Sequence, residues 1–396
     1  MNRSVYLDNN ATTYMKKEVL DAMLPYYGEY FGNPSSKFYE VGRLAEKAVY
    51  EFRKTVADAI GAKINEIYFT GSGCEADNWA IKGIADAYRN KGNHIITSSI
   101  EHHAILGACE FLEKHGYDVT YLPVNEYGIV NPDDVEKAIT DKTILISVMT
   151  ANNEIGSIQP IKAISEIAKK HKIVFHTDAV QAIGHMPINV EDLGVDMLSM
   201  SGHKFHGPKG VGVLYIKNGI RISNLIHGGG QERGKRAATE NVAGMAGIAK
   251  AIEIATAELD KNMAEMERKR DRLIKGISEK IPYSRLNGPV GKDRLCNNVN
   301  FSFKYVEGES ILMMLDMKGV AASSGSACAS GSLDPSHVLL AIGLPHEIAH
   351  GSLRLSVGDD TSDEDIDYVL EVLPPIVERL RMMSPLYEEV LNAQKK

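Results

Sequence analysis

The sequence predicts an α/β protein in two parts: a large domain on a mainly parallel mixed sheet, and a smaller α+β domain. Three observations carry this. Between residues 66 and 216, short apolar runs alternate with helix-length amphipathic segments, the pattern of strands joined by crossover helices. A long helical stretch then becomes sharply more charged after Leu259, as an exposed connection between domains requires. Beyond it come two strand-like runs, 298–303 and 352–357, and a terminal helix from Ser362. A chain of 396 residues holds one large domain and one smaller one. The large domain is placed at 16–260, and the smaller at 261–396 together with residues 1–15.

Tyr6-Leu-Asp-Asn-Asn-Ala-Thr-Thr13 reads as a short strand ending in a polar cluster too dense in Asx and Thr for a core, so it predicts the wall of a site. Helical spacing runs from 16 to about 30. Gly32-Asn-Pro-Ser-Ser36 forms a turn before a second amphipathic helix, 39–60, closed by Gly61. Strands follow at 67–70, 94–98, 119–122, 144–148, 173–176 and 197–200, several separated by amphipathic segments such as 161–171. After Gly210 a further strand, 211–216, precedes the glycine-rich His227-Gly-Gly-Gly-Gln-Glu-Arg-Gly234. One long or kinked helix is expected from 240 to about 280. Ser362-Asp-Glu-Asp365 supplies a capping-box start to the last helix, and Arg379 and Arg381 complement the dipole at its end.

A formal charge of -8 gives no general attraction to phosphate backbones or anionic membranes, which disfavours nucleic acid and lipid as partners. No run of eighteen apolar residues occurs, and the N-terminus leads straight into a strand-like segment without a signal peptide, so a cytoplasmic protein is expected. The four cysteines, 74, 109, 296 and 328, form no Cys-x-x-Cys pair, which argues against a disulfide framework or a structural zinc site.

The stretch from Met200 to Gly210 organises the chemistry. It places Lys204 on a tight loop after an apolar strand, where desolvation lowers an amine's pKa and makes it a nucleophile toward carbonyls. A solvated surface lysine is the plain alternative. Gly71-Ser-Gly-Cys-Glu-Ala76, between a strand and a helix, fits a phosphate at a helix N-terminus. It also matches the dinucleotide pattern G-x-G-x-x-A, with Glu101 as a ribose ligand. Asp178 and Gln181 at the end of another strand favour a different phosphate-bearing cofactor, because strand ends of open α/β sheets converge on one crevice. An acid for a pyridinium nitrogen, a Schiff-base lysine and a phosphate-binding helix are what pyridoxal phosphate requires.

Five motifs carry a resemblance: Ser201-Gly-His-Lys204, Val174-Phe-His-Thr-Asp-Ala-Val-Gln181, Ala151-Asn-Asn-Glu-Ile-Gly156, the 227–234 glycine-rich segment, and Ser323-Ser-Gly-Ser-Ala-Cys328. Together they resemble the cysteine desulfurases, the NifS and IscS type of the class V aminotransferase fold. The resemblance runs from Asp8-Asn-Asn-Ala-Thr to Arg354-Leu-Ser-Val-Gly. It implies fold type I of the pyridoxal phosphate-dependent transferases, a homodimer, and conversion of L-cysteine to L-alanine with sulfur supplied to iron-sulfur cluster assembly.

Residue by residue, the resemblance implies that Lys204 holds the cofactor covalently and moves the substrate's α-proton. Asp178 pairs with the pyridine nitrogen, Gln181 with the ring hydroxyl, and His102 stacks on the ring and transfers protons. Gly73, Cys74, Ser201 and His203 hold the phosphate, with Thr239 reaching in from the partner subunit. Asn153 and Arg354 take the substrate carboxylate, Arg354 by a bidentate fork. Cys74 departs from the threonine common in the family, which weakens one phosphate contact.

Cys328 lies in a stretch of Ala, Ser and Gly with few side chains to anchor it, which predicts a mobile loop. In the resembling family this thiolate takes the sulfur as a persulfide and passes it to a scaffold of the IscU or NifU type, where Cys328 also contacts a nascent iron-sulfur cluster. Cys109 and Cys296 are read as structural. His346-Glu-Ile-Ala-His350 matches the zinc motif H-E-x-x-H, with Glu371 as third ligand, but Pro345 and Gly351 confine it to little more than one turn. A selenocysteine lyase of the same fold, an NAD dehydrogenase and a zinc protease stand as alternatives.

Overall fold

A computed structural model of the chain describes residues 4–324 and 335–394. Cys328 lies outside the described residues. Along the chain the described strands are β1 (Val5–Tyr6), β2 (Ile67–Thr70), β3 (His94–Ser98), β4 (Asp118–Leu122), β5 (Thr143–Ser147), β6 (Val174–Asp178), β7 (Met197–Ser201), β8 (Gly212–Ile216), β9 (Ser284–Leu286), β10 (Asn298–Phe303), β11 (Val320–Ala321) and β12 (Ser352–Ser356).

Seven of them form one sheet in the order β2-β8-β7-β6-β5-β3-β4. From β7 through β4 every pairing is parallel, while β8 runs antiparallel to both of its neighbours. The connections explain the difference. Helices His103–Glu113, Pro132–Ala138 and Ile161–His171 carry the chain back between the parallel strands, whereas residues 202–211 join β7 to β8 by too short a link to cross over. Both faces are covered. Ile96, Ile146, Phe175, Leu198 and Val213 enter one apolar core, and their neighbours Ile95, Leu145, Val174, Met197 and Leu214 enter the other. Double burial is why these strands read as unbroken apolar runs.

A second, antiparallel sheet, β12-β10-β9, packs with helices Leu259–Lys280, Gly308–Asp316 and Asp363–Met382 around a separate core that includes Leu273, Phe301, Leu355 and Val369. Val5 and Leu7 belong to this core, drawn in by the pairing of β1 with β11.

Three expectations change. The helix expected over 16–30 is two, Lys17–Met23 and Pro25–Gly28, because Pro25 has no N–H to continue the first and opens the second. The single helix over 240–280 is also two, Val242–Ala257 and Leu259–Lys280, meeting at Glu258. The first is apolar and deeply buried, the second charged and amphipathic, so they answer to different surroundings. The capping box at Ser362 forms, with Ser362 and Asp365 each accepting the other's amide. Arg381, however, is buried and donates to the carbonyls of Lys304 and Tyr283, so it ties two loops together.

Candidate active site

The carboxyl ends of β6 and β7 and the N-terminus of the helix Gly73–Ala87 open onto one cavity of about 370 Å³. Its wall contains Gly73, Cys74, His102, Asn153, Asp178, Gln181, Ser201, His203, Lys204 and Arg354. Chain direction places them. Parallel strands point the same end at one crevice, and the loops leaving those ends carry the polar side chains.

Lys204 closes a short 3-10 turn, Gly202–Lys204, directly after β7. Its Nζ donates to the carbonyls of Asn10 at 2.6 Å and Ala11 at 2.9 Å. The polar segment after β1 is therefore a wall of the cavity, held by main-chain oxygens that no side-chain pattern advertises. Asn10 O also accepts from Gln181 Nε2 at 2.9 Å. Gln181 Oε1 is left buried without a partner among the described residues, an acceptor at the cavity's edge.

Asp178 ends β6, where its Oδ1 accepts the Val180 amide at 2.8 Å. Burial pushes its carboxyl up to about 6, opposed by that amide and by nearby Lys204. Asp77, on the helix Gly73–Ala87, is also fully buried, and burial together with Asp178 holds its carboxyl well above the usual range. Two neighbouring buried carboxylates do not both ionise readily, and Asp178, with its amide and ammonium partners, is the one favoured as the anion.

At the helix start, Ser72 caps the amide of Glu75 at 3.0 Å, and Glu75 pairs with Arg236. A Cβ on Gly73 would come within 2.9 Å of Val180 and 3.0 Å of Ser201, so only glycine lets the turn lie this close. The result is a helix N-terminus open to an anion in the cavity wall. Cys74 sits beside it, its thiol pushed up chiefly by burial. His203 bonds Thr12 Oγ1 through Nδ1 at 3.1 Å, and burial lowers it to about 4.

His102 caps the next helix through Nδ1, which accepts the Ala104 amide at 3.1 Å. Burial, with Lys204 and two other histidines adding to it, lowers His102 to about 4. The ring is neutral at ordinary pH, and with Nδ1 accepting, its proton sits on Nε2.

On the opposite wall Arg354 is almost wholly buried on β12. Its Nη1 donates to Asn153 O at 3.2 Å and its Nη2 to Asp8 at 2.9 Å. Asn153 thus meets Arg354 through its main chain. Glu154, also in the wall, is buried, accepts from Ser336 Oγ, and is raised to about 7 by burial.

Thr239, which the resemblance assigns to the partner's site, is not part of this wall. Thr239 lines a second cavity of about 280 Å³ with Gly71, Arg236 and Glu240. Cys328 is outside the described residues, whose nearest ends are tied to this site: Ser323 pairs with Arg354 through the main chain, and Ser336 bonds Glu154. His103, His337, Glu154 and Asp77 line the cavity without having been singled out as site residues. Glu154 lies inside the 151–156 motif, so its neighbours were its signal.

The rival motifs take other forms. Glu101, expected as a ribose ligand in the dinucleotide reading, accepts the Met149 amide with both oxygens and bonds Ser98 at 2.5 Å, so it locks the ends of β3 and β5 together; burial raises it to about 8. His346–His350 is a five-residue helix, and no group of three or more His, Cys, Asp or Glu among the described residues is placed to hold a metal ion. Burial pushes Cys109 and Cys296 up to about 12.

Comparison with known proteins decides the family. The model of the aminotransferase class-V family matches residues 5–369. The chain belongs to the class-V aminotransferases. It is 61% identical over 393 residues to a Clostridium botulinum protein named cysteine desulfurase IscS, covering 99% of both chains. A Methanosarcina thermophila protein of the same name is 61% identical over 385 residues, 97% of this chain and 95% of its own. Among solved structures, a NifS-like protein superposes with a TM-score of 0.89 at 38% identity, covering 95% of this chain and all of its own. The class-V fold thus accounts for the mixed seven-stranded sheet and the cavity at its strand ends.

Proposed function

We propose that this class-V chain is a cysteine desulfurase that uses pyridoxal 5'-phosphate to convert L-cysteine to L-alanine and passes the sulfur to Cys328. The observation that carries the reading is the convergence of Lys204, Asp178, Gln181 and Arg354 on one cavity. The residues fit the cofactor. The unpartnered Gln181 Oε1 suits a ring hydroxyl, Asp178 a protonated pyridine nitrogen, and the Gly73 turn with Ser201 and His203 a phosphate. When bound, pyridoxal phosphate supplies an electron sink that labilises the Cα–H and Cβ–S bonds of an attached amino acid.

The chain's own groups do the rest. Lys204 would hold the cofactor covalently through Nζ and, with that amine freed by the incoming substrate amine, would move a proton at the substrate Cα. His102 offers the proton on Nε2. Arg354, with Asn153 beside it, orients the substrate carboxylate. Cys328, as thiolate, takes the sulfur atom, forming the S–S bond of a persulfide as the substrate Cβ–S bond breaks. We assign the sulfur to iron-sulfur cluster assembly through a scaffold of the IscU or NifU type, supported by the 61% identity to proteins named IscS.

A homodimer belongs to this reading. Leu24, Tyr27, Phe31, Phe38 and Tyr39 stand exposed as an apolar set that a second copy can cover, and Thr239, outside its own chain's cavity, is free to complete a partner's. The free thiols of Cys74, Cys109 and Cys296 suit a reducing cytoplasm, and no helix among the described residues is long and apolar enough to cross a membrane.

An absorption spectrum tests the proposal. The purified protein is expected to show a visible band that borohydride abolishes and L-cysteine shifts, with Lys204→Ala lacking the reducible link. A colourless protein indifferent to L-cysteine would sink it.

A further inference from the structure

A buried Arg354 and a half-buried Asp8 make an ion pair at the end of the cavity where an amino acid's carboxylate would lie. Arg354 is 1% exposed, so its charge needs a partner, and Asp8 supplies one at 2.9 Å on Nη2 while Asn153 O takes Nη1 at 3.2 Å. Among the described residues each Nη makes one hydrogen bond and Nε–H, itself buried, makes none, so donors remain for a carboxylate fork. Asp8 is also fixed from behind: its carbonyl accepts the Ala11 amide at 3.0 Å, and its main chain bridges to Ser356, two residues beyond Arg354. Two and three residues on, Asn10 and Ala11 hold Lys204. One short loop therefore spans both ends of a bound amino acid, the amine at Lys204 and the carboxylate at Arg354.

We propose that Asp8 is a positioning residue of the carboxylate subsite, holding the Arg354 guanidinium so that its free N–H donors face the substrate. This rests on the desulfurase reading. The opposite role is a competitor that Arg354 must release before a carboxylate binds. Geometry favours positioning, because among the described residues Nη1 and Nη2 are each held on one edge only, and the loop behind Asp8 ties its main chain down. The role makes Asp8 a determinant of selectivity for amino acids over simple amines, without its touching substrate or cofactor.

The holoenzyme is titrated with L-cysteine and with cysteamine, which lacks the carboxylate, following the visible band alongside steady-state rates. Asp8→Ala is expected to raise the half-saturating concentration and KM for L-cysteine about 10- to 100-fold, the range for a lost charged hydrogen bond, with kcat changed less than about threefold. Cysteamine should titrate as in the wild type. Asp8→Asn, which keeps an oxygen acceptor, should restore L-cysteine binding to within about threefold. If Asp8→Ala does not fold, Asp8→Glu carries the test, since a displaced carboxylate misaims the guanidinium and should weaken L-cysteine alone. Unchanged or tighter L-cysteine binding, or equal weakening of cysteamine, would overturn the proposal. A wild type whose band ignores L-cysteine would instead overturn the desulfurase reading.

Discussion

Lys204 donates through Nζ to Asn10 O at 2.6 Å, across 194 residues of sequence. The contact joins the loop after β7 to the segment after β1, and so holds the Lys204 amine against a main-chain acceptor. A lysine on a four-carbon stem loses rotamer freedom when held this way, and the orientation that results is what a nucleophile needs.

Asp178 sets a pH limit on the cofactor. Its carboxyl, raised to about 6 by burial, is the anion above that value and neutral below it. An anion is needed opposite a protonated ring nitrogen, so cofactor affinity should hold above pH 6 and fall about tenfold per unit below it. Equilibrium dialysis of pyridoxal phosphate against pH measures this, and Asp178→Asn should be weak throughout. Affinity that rises on acidification would contradict it.

Glu154 should be visible in stability. Its folded value, about 7, lies above the ordinary 4.5, so between these values the folded chain holds a proton that the unfolded chain has lost. Stability from this group is therefore present at low pH and is lost as pH rises through 7. Glu154→Gln has no such slope, and its unfolding free energy relative to wild type should climb between pH 4.5 and 7 and then level off, a change on the order of 3 kcal/mol measured by chemical denaturation at each pH. A flat or falling difference would remove the premise.

The glycine-rich 227–234 segment is anchored by a buried pair. Glu232 accepts from Arg53 at 2.6 and 2.7 Å and from the Phe69 amide at 3.0 Å, although its own φ is +45°. Arg53→Ala leaves this carboxylate unpaired and should cost about 3–5 kcal/mol in chemical denaturation. A loss below about 1 kcal/mol would mean that the segment is held by something else.

The sheet was legible because β3, β5, β6 and β7 are buried on both faces, which leaves unbroken apolar runs. Ends were less so. β6 extends through buried Thr177 and Asp178, polar residues that an apolar pattern does not count. The strand-end motifs pointed to Lys204, Asp178 and Gln181, which line one cavity, because polar residues after apolar strands have few other uses. Asp8 and Glu154 were not picked out, since their meaning depends on Arg354 and Ser336, far away in sequence. Asn10 and Ala11 act through main-chain oxygens, which every residue has.

The measurement that bears most directly on the central claim is one turnover of sulfur-labelled L-cysteine by wild type and Cys328→Ala. Wild type should release about one L-alanine per chain and keep the label on Cys328 in a form that thiol reductants remove. Cys328→Ala should retain the visible band and its shift with L-cysteine, because Lys204 and Arg354 are untouched, yet release alanine at background and hold no label. Alanine released by Cys328→Ala at the wild-type rate, or label found on Cys74, would contradict the account.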